Sequence, residues 1–141
     1  MRHILVPLAH TASNAGVLEL AAAMATGIEA QITLLHVYEP PNSMVGIVPG
    51  ATVGNELDRD RDAGRTLLVD AAETLARAGI SRVSSILTRG AAEAAILENA
   101  RDADLIVMGT HGRRGIDRAL FGSIAERIIR RAPCPVITIH L

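Results

Sequence analysis

Apolar residues along this chain fall into short uninterrupted runs and longer stripes at helical spacing. The run Ile4-Leu-Val-Pro-Leu8 is the pattern of a strand covered on both faces, as in the middle of a parallel sheet. Pro7 then belongs at the strand's end, where no ladder donor is needed. Thr11 or Ser13 supplies the cap of a following helix, with Val17, Leu20, Ala21 and Met24 on one face and Gly27 as its stop. Gln31 to Val37 reads as a second strand and Leu105 to Met108 as a fourth, again apolar throughout. Between them, Arg82 to Thr88 is a more polar third strand, as expected toward a sheet edge, followed by Gly90 and a helix over Ala91 to Ala100.

Two further helices complete the pattern. Asn55 caps a long one ending near Gly79, with Leu57, Leu67, Leu68, Ala71, Ala72 and Leu75 as its apolar stripe. Its charged first half, from Glu56 to Arg65, reads as a solvated face with helical pairing. The last helix restarts at Gly122-Ser123, with Ile124, Ile128 and Ile129 on its inner face, and Pro133 to His140 forms the fifth strand. Residues 40–54 carry three prolines and three glycines without sustained period; a loop of that length is usually functional.

The resulting β-α-β-α-β-α-β-α-β order predicts one α/β domain over residues 1–141, an open five-stranded parallel sheet with helices on both faces and right-handed crossovers. Ligands of such sheets bind at the carboxyl ends of the strands, near the topological switch point. Residues 7–10, 37–39 and the loop after Met108 all fall on that side.

Composition narrows the chemistry. All 14 basic residues are arginine, which excludes a Walker lysine and a Schiff-base lysine. The aromatics Tyr38 and Phe121 leave almost nothing on which to stack single-stranded bases, and a net charge of −1 gives no global attraction to nucleic acid or anionic membrane. No apolar run approaches a membrane span, and Met1-Arg2-His3 leads directly into strand residues, so the expected compartment is the cytoplasm. The lone Cys134 excludes an internal disulfide and reads as a small buried core residue.

The informative stretch runs from Asp104 to Glu126. An apolar strand ends in Gly109-Thr-His-Gly112, nine residues follow, and the chain resumes at Gly122-Ser123. Gly109 and Gly112 allow close backbone approach to a ligand, and Gly122 and Ser123 begin a helix whose free amides and hydroxyl can donate to phosphate oxygens. Arg113 and Arg114 add charge-assisted donors.

This Gly-x2-Gly-x9-Gly-Ser spacing resembles the ATP-binding branch of the universal stress protein family. The resemblance extends over Ile4-Leu-Val-Pro7, Leu34-Leu-His-Val37, Gly90-Ala-Ala-Glu93 and Ala132-Pro-Cys-Pro-Val136. It implies a Rossmann-like, adenine nucleotide alpha hydrolase-like fold in three α/β/α layers. It also implies an ATP site, with Mg²⁺ as a possible companion, in which the backbone at Val37 reads the base. Pro7 and Met108 would line the cleft, Gly109, Gly112, Arg113, Gly122 and Ser123 would hold the phosphates, and Ile124 follows the serine.

One departure is at Ala9-His-Thr11, where many family members carry Asp-x-Ser, the acid contacting nucleotide or metal. Losing a hydrogen bond of about 1.5–3 kcal/mol predicts roughly tenfold to hundredfold weaker binding.

Other candidates carry blander readings. His3, His36 and His140 are packed or edge histidines, while His10 and His111 are more open to the crevice but lack a clustered acid for a metal site. Asp117 and Glu126 are solvated acids, no catalytic residue is assigned, and at most slow ATP hydrolysis is expected. The arginines at 113, 114, 118, 127, 130 and 131 need no nucleic-acid partner beside a phosphate site. The short final strand, open at a sheet edge, invites pairing with a second copy, and the resemblance implies a homodimer there. A dimeric interaction module without nucleotide and a slow ATPase are the alternatives.

Overall fold

A computed structural model describes residues 2–9, 14–39, 53–110 and 123–140, with the backbone alone at 53–56. Its elements are β1 (His3–Pro7), α1 (Ala15–Ile28), β2 (Gln31–Tyr38), α2 (Val53–Arg77), β3 (Val83–Arg89), α3 (Ala92–Ala100), β4 (Leu105–Thr110), α4 (Ser123–Arg131) and β5 (Val136–His140). The strands form one parallel sheet in the order β3-β2-β1-β4-β5. The chain therefore builds outward from β1 through β2 to β3, then returns to the other side of β1. That reversal places the switch point between β1 and β4.

Alternation along the strands divides the core into two layers. Ile4, Val6, Ile32 and Leu34 face α1 and α2, packing with Val17, Leu18, Ala21, Leu68, Ala71 and Leu75. Leu5, Leu35, Ile106 and Met108 face the other way, against Ile96 and Ala100 of α3 and Ala125 and Ile128 of α4. Ile4, Leu5, Val6, Ile106 and Val107 are all fully buried, as expected for inner strands covered on both faces. The edge strands β3 and β5 are only partly covered.

Several boundaries differ from the sequence expectation. Helix α1 runs through Gly27 and closes at Glu29, which adopts the left-handed conformation (φ 50°), while Ala30 N–H donates to the Ala25 carbonyl at 3.1 Å. Asn14, and not Thr11 or Ser13, precedes that helix, without a side-chain cap bond; Thr11 and Ser13 lie outside the described residues. Asn55 falls inside α2 and is not its cap, because the helix is already formed at Val53. In α4, Ile128 is fully buried but Ile129 is 52 % exposed; residues one apart on a helix point about 100° apart, so both cannot face the sheet. Cys134 is half-buried rather than buried, its thiol pushed up by desolvation and then by Asp104.

The amino ends of the strands are closed by hydrogen bonds. Asp104 accepts the backbone N–H groups of Arg2 (2.8 Å) and His3 (3.0 Å). His3 Nδ1–H donates to the Asp102 carbonyl at 2.8 Å, leaving Nε2, in the neutral ring, to accept from the Thr33 hydroxyl at 2.7 Å; Thr33 in turn meets Ser84 at 3.0 Å. This network ties β1, β2 and β3 together at the end away from the switch-point crevice. Among the described residues no helix is long and apolar enough to cross a membrane.

Candidate functional site

At the carboxyl ends of β1, β2 and β4 lies a cleft of about 530 Å³. Its floor follows from the strand order, since β1 stops at Pro7 between two longer neighbours and leaves a notch above it. Pro7, Leu8 and Ala9 form the centre, Leu35 to Glu39 one side, and Met108 and Gly109 the other. Helices enter at the rim, with Asp60 from α2, Ala92 and Ile96 from α3, and Ser123, Ile124 and Ala125 from α4.

Each wall has a local cause. Met108 is nearly buried and belongs to the layer shared with α3 and α4, so it anchors the apolar wall. Ser123 opens α4 and is exposed, where the first amides of a helix have no intrahelical partner and the macrodipole favours an anion. Arg127 and Arg131 both reach Glu93 of α3, at 3.3 and 2.8 Å, joining the two helices that border this wall. Glu126 pairs with Arg130 at 2.9 Å.

Opposite, His36 is buried and its Nδ1–H donates to the Leu8 carbonyl at 2.9 Å. That bond fixes the turn leaving β1. Asn14 reinforces it, its side-chain amide donating to the Ala9 carbonyl at 3.1 Å. Leu8 and Ala9 are thus held through their carbonyls by two side chains, and Ala9 presents no charge to the cleft.

The cleft brings together six of the nine residues singled out from sequence: Pro7, Val37, Met108, Gly109, Ser123 and Ile124. Gly112, Arg113 and Gly122 lie outside the described residues, as do His10, His111, Arg114, Asp117, Arg118 and residues 40–52. Sequence reasoning missed Asn14, Asp60, Ala92 and Ile96 as wall residues, and took His36 only as a packed or edge histidine. Asp60 sits in a run of alternating charges, and nothing in that run distinguishes one acid from the next. Among the described residues no group of three or more His, Cys, Asp or Glu side chains could hold a metal ion.

A sequence-family model described as the universal stress protein family matches residues 1–140. A universal stress protein of Thermus aquaticus, from the region 3' of a QAH/OAS sulfhydrylase gene, is 32 % identical over 131 residues, covering 92 % of this chain and 90 % of that protein. Among solved structures, the universal stress protein UspA of Lactobacillus plantarum aligns with a TM-score of 0.84 at 22 % identity, covering 98 % of this chain and 97 % of that one. The Archaeoglobus fulgidus universal stress protein in complex with dAMP aligns with a TM-score of 0.72 at 23 % identity over 99 % of this chain and 98 % of that one. At such identities the two structures establish the shared fold.

Proposed function

The chain belongs to the universal stress protein family, and from that premise we propose that its cleft binds ATP and that occupancy biases a signalling conformation of a homodimer. The observation that carries this reading is the placing of Gly109 and Ser123 across the same cleft from Val37. A strand end and a helix start supply phosphate donors on one side, and the β2 backbone offers base-reading groups on the other. β2 and β4 flank β1, so about 10 Å separates them, a span suited to a nucleoside and its first phosphates. The relative in complex with dAMP supports an adenine nucleotide as the ligand class.

The roles follow from position. Pro7 and Met108 pack against the nucleoside, Val37 reads the base through its backbone, and Ser123, with the amides at the start of α4, meets the phosphates beside Ile124. Gly112, Arg113 and Gly122 complete the phosphate side. Mg²⁺, if it accompanies ATP, would be held by phosphate oxygens without help from position 9, where Ala9 offers no carboxylate. Residues 1–141 act as one domain in the cytoplasm, and the dimer forms through the free edge of β5, which pairs only with β4 among the described strands.

A nucleotide-free interaction module is the second reading, favoured by Ala9, whose side chain offers no polar group and whose carbonyl is already bonded to Asn14. Equilibrium dialysis separates the two. ATP should be retained more strongly than adenosine, because the phosphate donors at Ser123 act on ATP alone. Equal retention of both, or of neither, contradicts the proposal.

A further inference from the structure

Helix α2 presents three alternating aspartates near its start. Asp58 is paired with Arg61 at 3.3 Å and Asp62 with Arg65 at 3.8 Å. Asp60 is different: it lines the cleft and has neither ion pair nor hydrogen bond among the described residues.

Its position is set one turn further along, at Gly64. A Cβ there would fall 2.6 Å from Cδ2 of His36 and 2.8 Å from Cδ1 of Leu87, so only glycine lets α2 lie this close to β2. Residues four apart share a helix face. Asp60 therefore stands about 6 Å closer to the helix start on the same side, over the end of β2 where Val37, Tyr38 and Glu39 line the same cleft. Ser123 is on the far side of β1, beside β4.

A carboxylate accepts hydrogen bonds and donates none. With phosphates at Ser123, the β2 end of the cleft meets the base. We propose that Asp60 makes the cleft discriminate in favour of a purine carrying an amino group and against one carrying a carbonyl oxygen at the same place. The inference rests on the nucleotide reading above and extends it to base selectivity. The amino group donates to the carboxylate, whereas a carbonyl oxygen sets two acceptors against each other. Glu39, the other acid of this rim, adds to the same acceptor character.

The test compares ATP, ITP and dATP by calorimetric titration of the whole chain and of Asp60→Asn. Asp60 is exposed, and the far-ultraviolet spectrum of the variant should match that of the parent. The parent should bind ATP about tenfold more tightly than ITP. In the variant the ratio should fall to within about threefold, because an amide can both donate and accept, while the ATP to dATP ratio stays fixed. An unchanged ATP to ITP ratio overturns the assignment, as does a change confined to the ATP to dATP ratio, which would place the carboxylate on the ribose. Absence of ATP binding by the parent defeats the nucleotide reading itself, an outcome distinct from either.

Discussion

Gly64 meets the buried ring of His36 so closely that a Cβ on the glycine would lie 2.6 Å from Cδ2. The ring cannot swing aside without breaking the bond from its Nδ1 to the Leu8 carbonyl. Helix α2, strand β2 and the turn after β1 are therefore locked to one another at the edge of the cleft.

Two opposing effects decide the consequence of Gly64→Ala. Alanine raises helix propensity by about 1 kcal/mol, while overpacking costs about 1–3 kcal/mol. With both His36 and Leu87 in the way, the steric effect wins and a net loss of about 1 kcal/mol is expected. Urea unfolding measures it; a variant more stable than the parent would mean that α2 does not sit this close to β2.

Gly27→Ala should do the opposite. The residue lies inside α1, with nothing within 4 Å of an added Cβ, so the substitution should stabilise by about 0.5–1 kcal/mol. Glu29 holds the strained left-handed position at the helix end, and Glu29→Gly should also stabilise. If thermal unfolding shows Gly27→Ala to be destabilising, the helix stops at Gly27 after all.

The neighbours Ile128 and Ile129 should separate sharply. Ile128 is fully buried between α4 and the sheet, so Ile128→Ala should cost about 2–5 kcal/mol. Ile129 is half exposed, and its replacement by alanine should remain within about 0.5 kcal/mol of the parent. Comparable losses at both positions would contradict the orientation of α4.

Asp104 predicts the shape of the acid limb. Its carboxyl is held below the usual value by the backbone N–H of Arg2, then by that of His3. A lowered folded-state pKa contributes stability that is complete above the unfolded value, about pH 4, and is lost as pH falls through the folded value. Asp104→Asn should thus be less stable than the parent near neutrality, by an amount that shrinks below about pH 4. Urea midpoints at pH 7 and pH 3 provide the check, and a difference independent of pH would argue against it.

The architecture was legible because inner parallel strands must be apolar on both faces. The runs at Ile4 and Leu105 announce β1 and β4, and polar Ser84 and Ser85 announce the edge position of β3. Helix ends were less legible. Gly27 and Asn55 have the chemistry of a stop and a cap, but α1 continues to Ile28 and α2 has already begun at Val53. In the site, the glycine spacing and Ser123 pointed to one wall of the cleft. On the other wall residues 37–39 were read as facing the crevice, but Asp60 was not: which of Asp58, Asp60 and Asp62 turns inward depends on the close contact at Gly64, and a contact between residues 28 positions apart has no local signature.

The central claim is that phosphate donors at the start of α4 make this cleft a nucleotide site. Calorimetric titration of ATP with Mg²⁺ into the whole chain and into Gly122→Val tests it most directly. The account predicts saturable binding at sub-millimolar ATP by the parent and at least roughly tenfold weaker binding by the variant, because the proposed role of Gly122 is a close backbone approach to phosphate that a branched side chain would block. No heat at millimolar ATP from the parent, or identical titrations of the two proteins, would contradict it.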